Sequence, residues 1–119
     1  MQQTVLIVDD HPAFRRSARL LLEAEGFDVV GEAGDGAAAL EAAARLAPAV
    51  VLLDVQLPDI DGFDVAARIL GAGNGHAPAI VMTSSRDGAD FGSLLTRSGA
   101  RGFVPKGELS GDRIRELLG

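Results

Sequence analysis

Three carboxylates, two hydroxyls and one lysine stand at the ends of short apolar runs, the places where a chain that folds into a parallel sheet presents side chains to a ligand. Asp9 and Asp10 follow Val5 to Val8, Asp54 follows Val50 to Leu53, Thr83 and Ser84 follow Ala79 to Met82, and Lys106 lies just beyond Gly102 to Val104. In open parallel sheets the site lies outside the carboxyl ends of the strands. If the first, third and fourth runs are neighbours, Asp9, Asp10 and Asp54 converge on one small pocket. Like charges about 4 Å apart repel by roughly 4 kcal/mol at an effective dielectric near 20, so such a pocket requires protonation or a cation. All-oxygen ligation favours Mg²⁺ or Mn²⁺, and a site with few protein oxygens leaves room for water and a phosphate, as magnesium prefers. A carboxylate that attacks phosphorus forms an acyl phosphate, while a metal and an ammonium neutralise the equatorial oxygens. Lys106 is the sole lysine among eleven basic residues, the rest being arginine. A compact ammonium with rotatable donors therefore stands where a planar guanidinium would serve differently.

Five apolar runs must position these groups: VLIV at 5–8, DVV at 28–30, VVLL at 50–53, AIVM at 79–82 and GFV at 102–104. They do not alternate with polar residues, as expected for strands covered by helices on both faces. Between them, Phe14, Ala18, Leu21 and Leu22 form an amphipathic stripe that Gly26 ends. Residues 37–46 (AAALEAAARL) have strong helix propensity, with Pro48 just beyond. Further helical patterns cover 62–70, 88–98 and 109–118, and 71–76 (GAGNGH) reads as loop. Strands alternating with helices predict a doubly wound α/β fold, a five-stranded parallel sheet with five helices and right-handed crossovers.

With 119 residues, 47% of them hydrophobic, the chain is expected to form one domain over 1–119. It has no cysteine, which excludes disulfides and thiolate sites. The Val5 to Val8 run is too short for a signal-peptide core or a membrane span, so a cytoplasmic location without membrane contact is expected. A formal charge of -6 argues against direct nucleic-acid binding, which needs clustered Lys and Arg to displace counterions.

The combination of Asp9-Asp10, LLDVQLPDIDGFD at 52–64, IVMTSS at 80–85 and GFVPKG at 102–107 resembles response-regulator receiver domains of two-component signalling, over essentially the whole chain. Its strength lies in order and spacing: Ser84 comes thirty residues after Asp54 and Lys106 fifty-two after it. The resemblance implies a flavodoxin-like receiver fold with strand order 2-1-3-4-5. It implies Asp54 as phosphoacceptor, and Asp9, Asp10, Asp54 and the backbone carbonyl of Gln56 as ligands of Mg²⁺. Ser84 becomes the switch hydroxyl, Lys106 the ammonium that pairs with the phosphoryl group, and Phe103 the aromatic switch. The implied partners are a sensor histidine kinase or phosphotransfer protein, with a possible homodimer through the fourth helix, fifth strand and fifth helix. The chain would not be an enzyme beyond its own phosphorylation and dephosphorylation. Two departures stand out. The family commonly has proline directly after the lysine, whereas here Gly107 follows and Pro105 precedes; regulators of the NarL/LuxR type often lack that proline too and look closest. Phe103 lacks a tyrosine hydroxyl, so its switching can only be one of packing.

Each residue also has a plainer reading. Asp54 could close a strand, Asp9-Asp10 before Pro12 could cap a helix, Ser84 could be an ordinary strand-end hydroxyl, and Phe103 could be core. His11, with only His76 as a distant companion, is expected to be an exposed loop histidine rather than a zinc ligand. The DIDG at 59–62 hints at a calcium loop, but an EF-hand register would place Leu57 first and Arg68 twelfth, so it is rejected. A haloacid-dehalogenase-type phosphatase would need a second acid where Gln56 stands, and intact Asp9, Asp10, Asp54 and Lys106 count against a metal-free interaction module. Flavin binding lacks both a Gly-rich loop after the first strand and a Trp or Tyr for stacking. Gln56 and Arg86 flank the expected phosphoryl position and control water access to it. A longer-lived phosphoryl group is expected if Arg86 reaches across the pocket mouth to hold it and obstruct the in-line water, the plainer reading being a solvated loop residue.

Overall fold

The structure, a computed structural model, describes residues 3–72, 77–85 and 91–119. Its strands are β1 (Thr4–Val8), β2 (Asp28–Ala33), β3 (Val50–Asp54), β4 (Ala79–Ser84) and β5 (Gly102–Pro105), and its helices α1 (Pro12–Ala24), α2 (Gly36–Leu46), α3 (Gly62–Gly71), α4 (Ser93–Arg97) and α5 (Gly111–Leu118). All neighbouring strands pair in parallel, in the order β2-β1-β3-β4-β5, as expected.

Residue parity along the strands sorts the core into two layers, because successive side chains point to opposite faces of a sheet. Val5, Ile7, Val50, Leu52, Val81 and Val104 pack with Ala18 and Leu22 of α1 and Ile114 of α5. Leu6, Val8, Val51, Leu53, Ile80 and Met82 pack with Ala39 and Ala42 of α2 and Phe63, Val65, Ala66 and Ile69 of α3, and Phe91, Leu95 and Phe103 lie against this layer. The central strands are apolar throughout because both faces are covered.

Several boundaries differ from the sequence reading. β2 runs on to Ala33 rather than stopping at residue 30; Gly31 lets it, since a Cβ there would come within 2.6 Å of the Leu46 side chain. The helix expected over 88–98 is described only as the short α4, with residues 86–90 outside the described set. Gly92, at φ +49°, breaks the helical path just before Ser93. The last helix starts at Gly111 instead of 109, because Lys106–Glu108 form a 3-10 turn, Leu109 is extended, and Ser110 caps α5 by accepting from the Arg113 amide at 3.1 Å. The expected loop at 71–76 opens with the last residue of α3, and its residues 73–76 lie outside the described set.

Candidate functional site at the strand ends

The same parity places the charged groups. Asp9, Asp54, Thr83 and Lys106 continue the rows of β1, β3, β4 and β5 that face α1 and α5, whereas Ser84 and Phe103 belong to the rows that face α2, α3 and α4. Asp54 and Thr83 are direct cross-strand partners, as are Ser84 and Pro105.

Lys106 ties the acids together. Its Nζ lies 2.6 Å from Asp9 Oδ2 and 3.1 Å from Asp54 Oδ2, and 4.7 Å from the centre of the Phe14 ring. Burial alone would push the ammonium's pKa down, but hydrogen bonds to Asp9 and Asp54 outweigh it and hold the pKa above its ordinary value. Asp54 shifts upward too. Burial is the main cause, opposed by the Gln56 amide that donates to Oδ1 at 3.1 Å, reinforced by the Asp9 charge, and partly offset by Lys106. Asp9 and Asp54 share one ammonium while Asp10 stands close by, which leaves excess negative charge in a small volume.

Asp9 is fully buried and Asp10 exposed. Asp9 Oδ1 accepts from the His11 amide at 2.8 Å, and Asp9 Oδ2 has no hydrogen-bond partner among the described residues besides the Lys106 ammonium. Arg15 donates to the Asp9 carbonyl and, at 3.1 Å, to Glu32, which pins the β1–α1 turn to β2. One donor atom each from Asp9, Asp10, His11 and Asp54 lies within 4.8 Å of the others. This group could hold a metal ion: its carboxylates suit a hard divalent cation, and the incompletely satisfied, buried Asp9 is the kind of group such an ion stabilises.

The β3–α3 turn is built around Gly62. Its amide donates to the Val55 carbonyl at 2.8 Å, and a Cβ there would lie 2.2 Å from the Asp54 carbonyl oxygen and 2.7 Å from that of Val55. Only glycine lets α3 start against the strand that carries Asp54. Asp61 caps α3 through Phe63 N at 2.8 Å. Asp59 instead reaches the start of α2, accepting from Gly36 N at 2.7 Å and Ala37 N at 3.0 Å, and these bonds lower its pKa. The acids once weighed as a calcium loop are thus two helix caps.

The structure brings together Asp9, Asp10, Asp54 and Lys106 as the sequence suggested. Gln56 is exposed, and its amide turns toward Asp54. Ser84 is buried at the end of β4. Phe103 is half-buried, with its ring centre 5.6 Å from that of Phe91, which is in turn 5.6 Å from Phe63. Arg86 and His76 lie outside the described residues. His11 is exposed, as expected, and its Nδ1 lies in hydrogen-bond contact with Asp9 Oδ1 at 3.0 Å and 3.1 Å from Asp10 Oδ1. One contributor escaped the sequence reading: Phe14, read only as part of an apolar stripe, carries no local signal beyond its place on α1. Thr83, already marked at the end of its run, has a buried hydroxyl with no hydrogen-bond partner among the described residues.

Residues 5–118 match the response regulator receiver domain family, and the chain belongs to it: it is a receiver domain of a response regulator in two-component signalling. It is 42% identical over 103 residues to the nitrate/nitrite response regulator protein NarP of Escherichia coli, covering 86% of this chain and 47% of NarP. It is 41% identical over 106 residues to the DNA-binding response regulator MtrA of Mycolicibacterium smegmatis, covering 89% of this chain and 45% of MtrA. The solved signal receiver domain of NarL from Mycobacterium tuberculosis superposes with a TM-score of 0.83 at 33% identity, covering 99% of this chain and 98% of that one. The chain spans about half the length of the curated relatives it matches. Among the described residues no helix is long and apolar enough to cross a membrane.

Proposed function

We propose that residues 1–119 act as a phosphorylation-dependent switch in which Asp54 accepts a phosphoryl group from a sensor histidine kinase or phosphotransfer protein. The observation that carries this reading is the buried Asp54 carboxylate at a strand end, tied to Asp9 through the Lys106 ammonium. An Asp54 oxygen attacks phosphorus, the bond to the donor's leaving group breaks, and an acyl phosphate forms. Asp9, Asp10, Asp54 and the Gln56 carbonyl would hold Mg²⁺, which supplies charge neutralisation for the phosphoryl oxygens. Lys106, already at Asp54, is within reach of the transferred group and would pair with it. Ser84 would move its hydroxyl toward the phosphoryl group, and Phe103 would repack with it, changing the face made by α4, β5 and α5. A phosphoryl group shifts this equilibrium only by contacting one arrangement better than the other. Homodimerisation through that face is the proposed readout, in the cytoplasm and without direct nucleic-acid contact by this domain.

The test is incubation with Mg²⁺ and acetyl phosphate followed by intact-mass measurement. One labile phosphoryl group per chain is expected, absent from Asp54→Asn. An unchanged mass, or a modification that survives Asp54→Asn, overturns the assignment, and continued turnover of excess phosphoester would mark a phosphatase instead.

A further inference from the structure

Lys106 is held from two sides, by carboxylates at the strand ends and by an aromatic ring of α1. Its Nζ lies 2.6 Å from Asp9 Oδ2, 3.1 Å from Asp54 Oδ2 and 4.7 Å from the centre of the Phe14 ring, over the ring's face. An ammonium carries three donors and no acceptor, so two carboxylate oxygens and one ring face match its capacity. The negative face of an aromatic ring attracts a cation within about 6 Å of its centre. A guanidinium fixes its donors in one plane and does not fit such a tripod. That gives a physical reason for the single lysine among eleven basic residues.

The chain beyond Lys106 contributes little packing of its own. Gly107 has open space where a Cβ would stand, and the 3-10 turn Lys106–Glu108 buries no residue. The Lys106 side chain is nevertheless only 16% exposed. Phe14 is itself fixed, because it packs against the layer that contains Ala18, Leu22 and Ile114. Arg15, next to it, donates to the Asp9 carbonyl. The first turn of α1 therefore locates both the ammonium and the acid beside it.

We propose that Phe14 is a positioning residue for phosphoryl transfer, its ring holding the Lys106 ammonium beside Asp54 while the bond to phosphorus forms. The inference rests on reading Asp54 as the phosphoacceptor. The two carboxylates hold the ammonium less strongly once a divalent ion shares their charge, or once an Asp54 oxygen has bonded to phosphorus. The ring is neither a metal ligand nor a reactant, so its attraction persists through the reaction. The ammonium then already stands where the phosphoryl oxygens gain negative charge, and no reorganisation is needed to bring it there.

The test replaces Phe14 by progressively fluorinated phenylalanines, up to pentafluorophenylalanine, which nearly conserve the ring's shape while withdrawing negative charge from its face. The rate of acyl phosphate formation from acetyl phosphate with Mg²⁺ should fall stepwise along the series, by about fivefold at its end, and Phe14→Leu should fall as far. A ring that only fills space produces no such trend, because its volume and burial hardly change. A second readout is independent of the reaction. Lys106 is the sole lysine, so a lysine-labelled sample gives one side-chain signal, and nuclear Overhauser contacts from its ε-protons to the Phe14 ring are expected in the unphosphorylated chain. Equal rates across the series, or the lack of that contact, overturns the role of Phe14 and leaves Asp54 standing as acceptor. If the parent takes up no phosphoryl group, the acceptor reading fails and this inference fails with it. The lightly fluorinated rings perturb packing least, so the trend among them decides the matter even if Phe14→Leu folds poorly.

Discussion

Helices α3 and α4 pack against the same layer of the sheet, but they are anchored in different ways. α3 buries Gly62, Phe63, Val65, Ala66 and Ile69, and its first turn is held by the Asp61 cap and by the Gly62 amide on Val55. Asp59 extends this lock to the start of α2. α4 buries no residue and has no side-chain cap; beside it, the ring of Phe91 stands between Phe63 and Phe103. Local stability follows buried apolar contact and satisfied hydrogen bonds. Among the described residues, the start of α3 beside Asp54 is therefore held by both buried contact and hydrogen bonds, whereas α4 itself buries less against the sheet. The proposed switch would use such a difference, with its binding groups staying in place while the less buried element takes up a second arrangement.

The strongest test of the start of α3 is Gly62→Ala. With carbonyl oxygens 2.2 and 2.7 Å from the new Cβ, the β3–α3 turn must shift, and a loss of about 3 kcal/mol in urea unfolding is expected. A loss below about 1 kcal/mol would show that this turn yields as easily as α4.

Next in size is the effect of metal. Mg²⁺ at about ten times its dissociation constant should stabilise the fold by about 1.4 kcal/mol, seen as a higher unfolding midpoint, and should do so far less in Asp9→Asn. Hydrogen exchange would sharpen the comparison: added protection is expected in the β1–α1 and β3–α3 turns, with α4 little affected by the metal alone.

The charge balance gives a pH-dependent effect whose sign follows from the shifts. Asp54 titrates above its ordinary 3.8 in the fold, chiefly through burial, so its ionised form costs stability. That cost is fully present above the folded pKa and disappears as the pH falls toward 3.8. Without metal, Asp54→Asn should be more stable than the parent near neutrality, and the gap should close in acid. Asp59 behaves oppositely. Its lowered pKa contributes stability above 3.8 that is lost as the pH falls further, so Asp59→Asn should flatten the acid limb of the stability profile. Unfolding curves for the three proteins across this range check both signs.

The smallest effect is expected in α4. Leu94 is 47% exposed, and Leu94→Ala should change stability by no more than about 0.5 kcal/mol. A larger loss would mean that α4 is anchored more like α3 than its burial indicates.

Much of this was legible in the residues themselves. The unbroken apolar runs marked strands buried on both faces, the stripe from Phe14 to Leu22 marked α1, and the polar residues closing the runs marked the site, because a parallel sheet presents its strand ends together. Local pattern reports which side of an element is buried and where it can stop. It was less reliable where a single backbone conformation intervened: Gly92, at φ +49°, lies outside the helical region just before α4, and Ser110 moves the start of α5 past Leu109.

What the tertiary structure decided are the contacts between residues far apart in the chain. Asp59 sits among turn residues, and nothing near it says that its carboxylate caps α2. Phe14 lies on an ordinary amphipathic stripe until β5 brings Lys106 over its ring. His11 reads as a loop residue until the buried Asp9 carboxylate accepts from its amide and its ring nitrogen. The sequence by itself determined the fold class and the residue types available for chemistry, since both follow from periodicity and position along each strand. The partners of those residues depend on strand order and register, which are set by the packing of the whole sheet and cannot be read from any one segment.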